Sequence, residues 1–125
     1  MKKNLLLFIV ITMLTFGLFG CTKTRSDGKI TVKVYDYEAV EVFNETLNFN
    51  ENDTLLELLQ SHETIKLNGE NNTFGFYITE VCGINANDYK ETFWNIVING
   101  ENSLVGISDI SLKDKDVIEL KLINW

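Results

Sequence analysis

Gly75-Phe76-Tyr77-Ile78-Thr79-Glu80-Val81-Cys82-Gly83, Phe93-Trp94-Asn95 and, towards the C-terminus, Ile118-Glu119-Leu120-Lys121-Leu122 are the segments that decide the fold. Each is rich in aromatic and β-branched residues, and each is bounded by turn formers, so they read as strands over 74–81, 93–98 and 117–123. Asn99-Gly100 between the last two is a dipeptide suited to a tight hairpin, because both residues tolerate positive φ. Working outward, Ile30, Val32 and Val34 alternate with Thr31, Lys33 and Tyr35, a period of two that predicts a half-buried strand. Val40, Val42, Leu47 and Phe49 continue the pattern and predict a hairpin with it. Thr54-Leu55-Leu56-Glu57 sets a threonine three residues before a glutamate at the head of an apolar run, the spacing of a reciprocal cap, and Leu55, Leu58, Leu59 and His62 share one helical face. One short helix over 54–63 follows. Asn68-Gly69-Glu70-Asn71-Asn72 reads as a turn-rich connection. One helix among five or six strands, mostly antiparallel, makes an α+β domain.

Five segments together carry a resemblance. Gly75 to Thr79, Phe93-Trp94-Asn95, Gly106-Ile107-Ser108-Asp109, the turn at Lys113-Asp114-Lys115-Asp116 and the closing Ile118-Glu119-Leu120 stand in the order of the C-terminal β-domain of the transcobalamin and intrinsic-factor family. The same run is similar to bacterial lipoproteins with a DUF4430-type domain. The resemblance covers 29–125 as architecture, with its distinctive words between 75 and 125. It implies a β-grasp-like sheet curled around the helix, and cobalamin as a possible ligand with no cofactor required. Carried over by position, the ligand-facing residues are Trp94, Asn95 and the loop Asn72-Thr73-Phe74. Asn95 stands where the carriers have glutamine, which shortens a hydrogen-bonding arm. Lys115 replaces a turn glycine of many bacterial relatives. The large helical domain that completes the ligand site of the animal carriers has no counterpart in this sequence.

The amino-terminal segment has its own signature. Lys2 and Lys3 precede an apolar run from Leu5 to Phe16, which ends at Leu18-Phe19-Gly20-Cys21, the layout of a secretory signal with a lipoprotein cleavage site. The run is shorter than the roughly 20 apolar residues of a membrane span. The expected organisation is a signal peptide over 1–20, a lipidated Cys21 opening a polar tether over 21–28, and a domain over 29–125. This places the protein on the extracytoplasmic face of the cell membrane, held by its acyl chains. An ordinary signal peptide and an uncleaved anchor are the alternatives. The whole chain has 11 basic and 18 acidic residues; loss of Lys2 and Lys3 leaves 9 against 18, a net charge of −9. Such a surface disfavours nucleic acid and electrostatic docking on anionic lipid. With Cys21 lipidated, Cys82 is the one remaining thiol, so no intramolecular disulfide forms and the core must hold the domain.

No pairing of nucleophile and general base is visible, so catalytic residues are not expected. His62, the only histidine, reads as a helix-end residue touching the core, and Cys82 as a small buried hydrophobe. Asn50-Glu51-Asn52-Asp53 and Asn85-Ala86-Asn87-Asp88 offer oxygen ligands without the spacing of a calcium loop, and no metal site is expected from them. Trp94 admits two readings, core strut or ligand contact. Alternation puts Phe93 and Trp94 on opposite faces of one strand; the expectation is that Phe93 anchors the core while Trp94 is offered outward. The functional expectation is a non-catalytic, membrane-tethered module that captures a small ligand, a corrinoid by resemblance, for a transporter or envelope protein. Its rival is an interaction domain for protein or envelope polymer without a small ligand.

Overall fold

The computed structural model describes residues 27–125. The expected signal peptide, Cys21 and most of the tether lie outside the described residues. The elements are β1 (Gly28–Tyr35), β2 (Glu41–Phe49), α1 (Leu55–Ser61), β3 (Asn68–Asn72), β4 (Gly75–Val81), β5 (Ile84–Asn85), a 3-10 turn (Ala86–Asp88), β6 (Thr92–Ile98), β7 (Glu101–Asn102), a second 3-10 turn (Ile107–Asp109) and β8 (Val117–Asn124). This is the α+β arrangement expected from the periodicities, with one short helix.

Five strands form a sheet in the order β2-β1-β8-β6-β7, and three form a second in the order β3-β4-β5. All pairings are antiparallel except β1 with β8, where Val32 lies opposite Ile118 and Tyr35 opposite Lys121. Ile30, Val32 and Val34 of β1, Ile118, Leu120 and Leu122 of β8, and Trp94 and Ile96 of β6 point to one face of the large sheet and are buried. Leu55 and Leu59 of α1, Ile65, Leu67, Ile78, Val81 and Ile107 close over that face in one cluster. A fully buried Leu, Ile or Val side chain contributes about 1.5–3 kcal/mol, so this layer dominates the stability. The opposite face, with Thr31, Lys33, Tyr35, Glu119, Lys121, Phe93 and Asn95, is only half covered.

Local chemistry sets the boundaries. Thr54 Oγ1 accepts from the Glu57 amide at 3.2 Å and caps α1. Only the threonine half of the expected reciprocal cap is present among the hydrogen bonds of the described residues. The helix stops at Ser61 because His62 turns extended and its Nδ1 accepts from the Thr64 and Ile65 amides at 3.1 and 3.3 Å. Asn99 and Gly100 both take positive φ, 51° and 85°, and join Ile98 to Glu101 directly. The expected turn over 68–72 is instead strand β3. Its partner β4 supplies the ladder that its own composition does not advertise, with Gly69 admitting the close approach of the Tyr77 carbonyl and the Phe76 ring.

Candidate functional site

The true turn of the second sheet is Thr73-Phe74, between β3 and β4. Asn72 shapes it: its side-chain carbonyl accepts from the Phe74 amide at 2.9 Å, and Gly75 follows at φ 119°. The ring of Phe74 is thereby held out on the tip of a two-stranded arm and is 96% exposed. An aromatic ring left in water on this turn buries nothing against the fold and is free to meet another molecule.

Trp94 is placed otherwise than expected. It is 5% exposed and packs in the core, while Phe93 lies on the half-covered face with its ring centroid 6.3 Å from that of Trp125. The cause is register: Trp94 pairs with Leu122 and Phe93 with Ile123, and the buried residues of β8 are Ile118, Leu120 and Leu122. The indole Nε1 of Trp94 is buried without a hydrogen-bond partner. Asn95 shares the face of Phe93, and its amide nitrogen donates to Asn102 Oδ1 at 2.9 Å. The five residues expected to meet a ligand are therefore divided. Trp94 belongs to the core face of the large sheet, Asn95 to its other face, and Asn72, Thr73 and Phe74 to the tip of the second sheet.

Two further apolar residues at the surface escaped the sequence reading. Leu104 is 99% and Val105 50% exposed, in the loop that leaves edge strand β7 for the second 3-10 turn. Ser103 braces this loop, its hydroxyl donating to the Val105 carbonyl at 2.7 Å. The signal was available in an apolar pair set between Ser103 and Gly106 with no alternation around it.

The remaining candidates are engaged in structure. Asp53 Oδ2 accepts from the Asn50 amide and Asn85 Oδ1 from the Asn87 amide, so both oxygen-rich segments use side chains to form turns. Among the described residues no three His, Cys, Asp or Glu side chains gather in a metal-holding geometry. Cys82 is half buried at φ 53°, its amide donates to the Ile65 carbonyl at 2.7 Å, and burial pushes its thiol pKa up. His62 Nε2 lies 3.7 Å from Glu45 Oε2, and its ring meets Phe43 edge-on. No helix among the described residues is long and apolar enough to cross a membrane.

A curled mixed sheet with its first and last strands parallel at the centre, covered on one side by a short helix and a small second sheet, is a grasp-type α+β module. Residues 52–124 match the family described as domain of unknown function DUF4430, and the chain belongs to that family. Among solved structures it is similar to a protein of Ruminococcus gnavus ATCC 29149 provisionally described as metal binding, with 27% identity and a TM-score of 0.63 over 77% of this chain and 96% of that one. It is also similar in fold to haptocorrin, solved in complex with Cbi, with 18% identity and a TM-score of 0.63 over 82% of this chain. The matched region is 27% of the haptocorrin chain. No curated protein matches this chain.

Proposed function

We propose that this protein is a non-catalytic binding module, tethered through Cys21 to the extracytoplasmic face of the cell membrane, that captures a corrinoid at the tip of its β3–β4 arm. The observation that carries this reading is Phe74, an almost fully exposed ring on a turn fixed by Asn72. A large flat ligand offers such a ring an apolar face, and the neighbouring amide and hydroxyl groups of Asn72 and Thr73 offer polar contacts at its edge. The likeness in fold to haptocorrin supports the ligand class. Trp94 then acts as the strut beneath the sheet rather than as a contact.

Equilibrium dialysis of the detergent-solubilised full chain against cobinamide and cobalamin tests the reading. Wild type should retain a corrinoid, and Phe74→Ala should weaken retention about tenfold or more, the scale of one lost aromatic anchor, without moving the thermal midpoint. Failure of the wild-type chain to retain either compound at millimolar concentration would overturn it. The exposed pair Leu104 and Val105 favours the second reading in that case, a docking surface for an envelope protein.

A further inference from the structure

A cleft of about 490 Å³ opens where the C-terminal ends of β1 and β8 lie side by side, and no residue of the β3–β4 arm lines it. Tyr35, Asp36 and Tyr37 form one wall, Lys121, Ile123 and Asn124 the other. Its size falls in the range of about 300–1,000 Å³ typical of small-molecule sites. Tyr37 is 44% exposed, and its ring is stacked on Tyr89 at 4.9 Å between centroids, so it is held in place from one side. The Lys121 ammonium stands 5.3 Å above the Tyr35 ring and is steadied by Glu119 at 3.2 Å.

The walls are fixed before any ligand arrives. Asp36 Oδ1 accepts from the Glu38 and Val40 amides, both at 2.9 Å, which pins the β1–β2 turn. The Asn124 amide nitrogen donates to the Lys90 and Glu91 carbonyls at 3.1 and 3.3 Å. These bonds consume one end of each polar group. Asp36 Oδ2 and Asn124 Oδ1 have no partner among the described residues, and the Lys121 ammonium has donors to spare. Aromatic surface is thus bordered by two acceptors and one donor, in walls that need no reorganisation to bind.

Charge narrows the ligand. The cleft is lined by one carboxylate and one ammonium, and the ammonium is already paired with Glu119, so an anion finds no free positive charge and a cation finds only Asp36, whose Oδ1 is held by the β1–β2 turn. A neutral molecule with an apolar face and a polar rim fits. A pyranose ring is such a molecule: its axial C–H bonds carry slight positive charge towards the negative face of a tyrosine ring, while its hydroxyls both donate and accept at the edge. We infer that the Tyr35–Tyr37–Lys121–Asn124 cleft is a second binding site, specific for a neutral saccharide chain and independent of the β3–β4 tip.

Calorimetric titration and saturation-transfer NMR on the full chain, in a detergent without a sugar headgroup, test this with cellotriose, maltotriose and chitotriose. Glucose separates a free monosaccharide from a chain, and choline and inorganic phosphate serve as charged controls. At least one trisaccharide should bind, with saturation reaching its C–H protons. Tyr37→Ala should weaken it about tenfold, equivalent to about 1.4 kcal/mol; Tyr37→Phe should retain it, and Phe74→Ala should leave it unchanged. Should Tyr37→Ala lower the thermal midpoint, Lys121→Met, which keeps the side-chain stem, is read in its place and should also weaken binding. The inference is overturned by absence of trisaccharide binding at millimolar concentration, by binding of choline or phosphate instead, or by titrations that neither substitution alters.

Discussion

Truncating Trp94 should cost the fold more than truncating its neighbour Phe93, and the difference is large enough to measure without ambiguity. Trp94 is 5% exposed, so Trp94→Ala empties nearly the whole indole site, a change worth about 3–5 kcal/mol. For a domain of about 100 residues each kcal/mol moves the thermal midpoint by about 4–8 °C, so the expected fall is about 12–40 °C. Phe93 is half buried on the other face against the exposed Trp125, and roughly half of a Phe→Ala cost, about 1.5–2.5 kcal/mol, applies to it. Trp94→Phe separates packing from polarity. It leaves a smaller void and removes the unpartnered Nε1 donor, whose burial costs about 1–3 kcal/mol, so the two changes offset and the net loss should stay under about 1.5 kcal/mol. Urea unfolding of residues 22–125 followed by circular dichroism measures all three, because that signal survives removal of the tryptophan. An order in which Phe93→Ala is the most destabilising would refute the placement of Trp94 in the core.

Thr54→Ala removes the acceptor for the Glu57 amide and should lower stability by about 0.5–2 kcal/mol in the same assay. Cys82 should react with iodoacetamide at neutral pH more slowly in the folded than in the unfolded chain, since burial raises its pKa and keeps it a thiol. By linkage the stability held by that proton is complete below the thiol's unfolded value and is lost as pH rises through the folded one, so the midpoint should fall on the alkaline side. Cys21→Ser should abolish incorporation of a labelled fatty acid, because serine lacks the thiol that receives the diacylglycerol.

The alternation of Ile30, Val32 and Val34, the Asn99-Gly100 turn and the cap at Thr54 were legible because each rests on contacts within a few residues. Strand β3 was not. Its five residues carry no buried side chain, and its pairing is a property of β4. The faces of β6 were half legible: alternation separates Phe93 from Trp94, and polar Asn95 on the side of Phe93 already marked that side as the wetter one. What decides the matter is the register against β8, a contact across about thirty residues of sequence that no local pattern encodes. The Tyr35–Lys121 cleft is the extreme case, assembled by a parallel pairing of the first and last strands. Of the residues the resemblance singled out, Phe74 stands in water, and the turn closed by Asn72 is the physical reason.

The position of β8 between β1 and β6 also bears on how the protein is made. A chain emerging from its N-terminus delivers the edge hairpin β1–β2 first and the central strand last, so the sheet cannot close until Asn124 has been made and, in an exported protein, carried across the membrane. Contacts of such long sequence separation are slow to form. Until then β1 and β6 have no strand between them, and the large sheet stays open. Removal of 117–124 should therefore act as loss of the keystone, splitting the large sheet into the separate hairpins β1–β2 and β6–β7 rather than leaving a shortened domain.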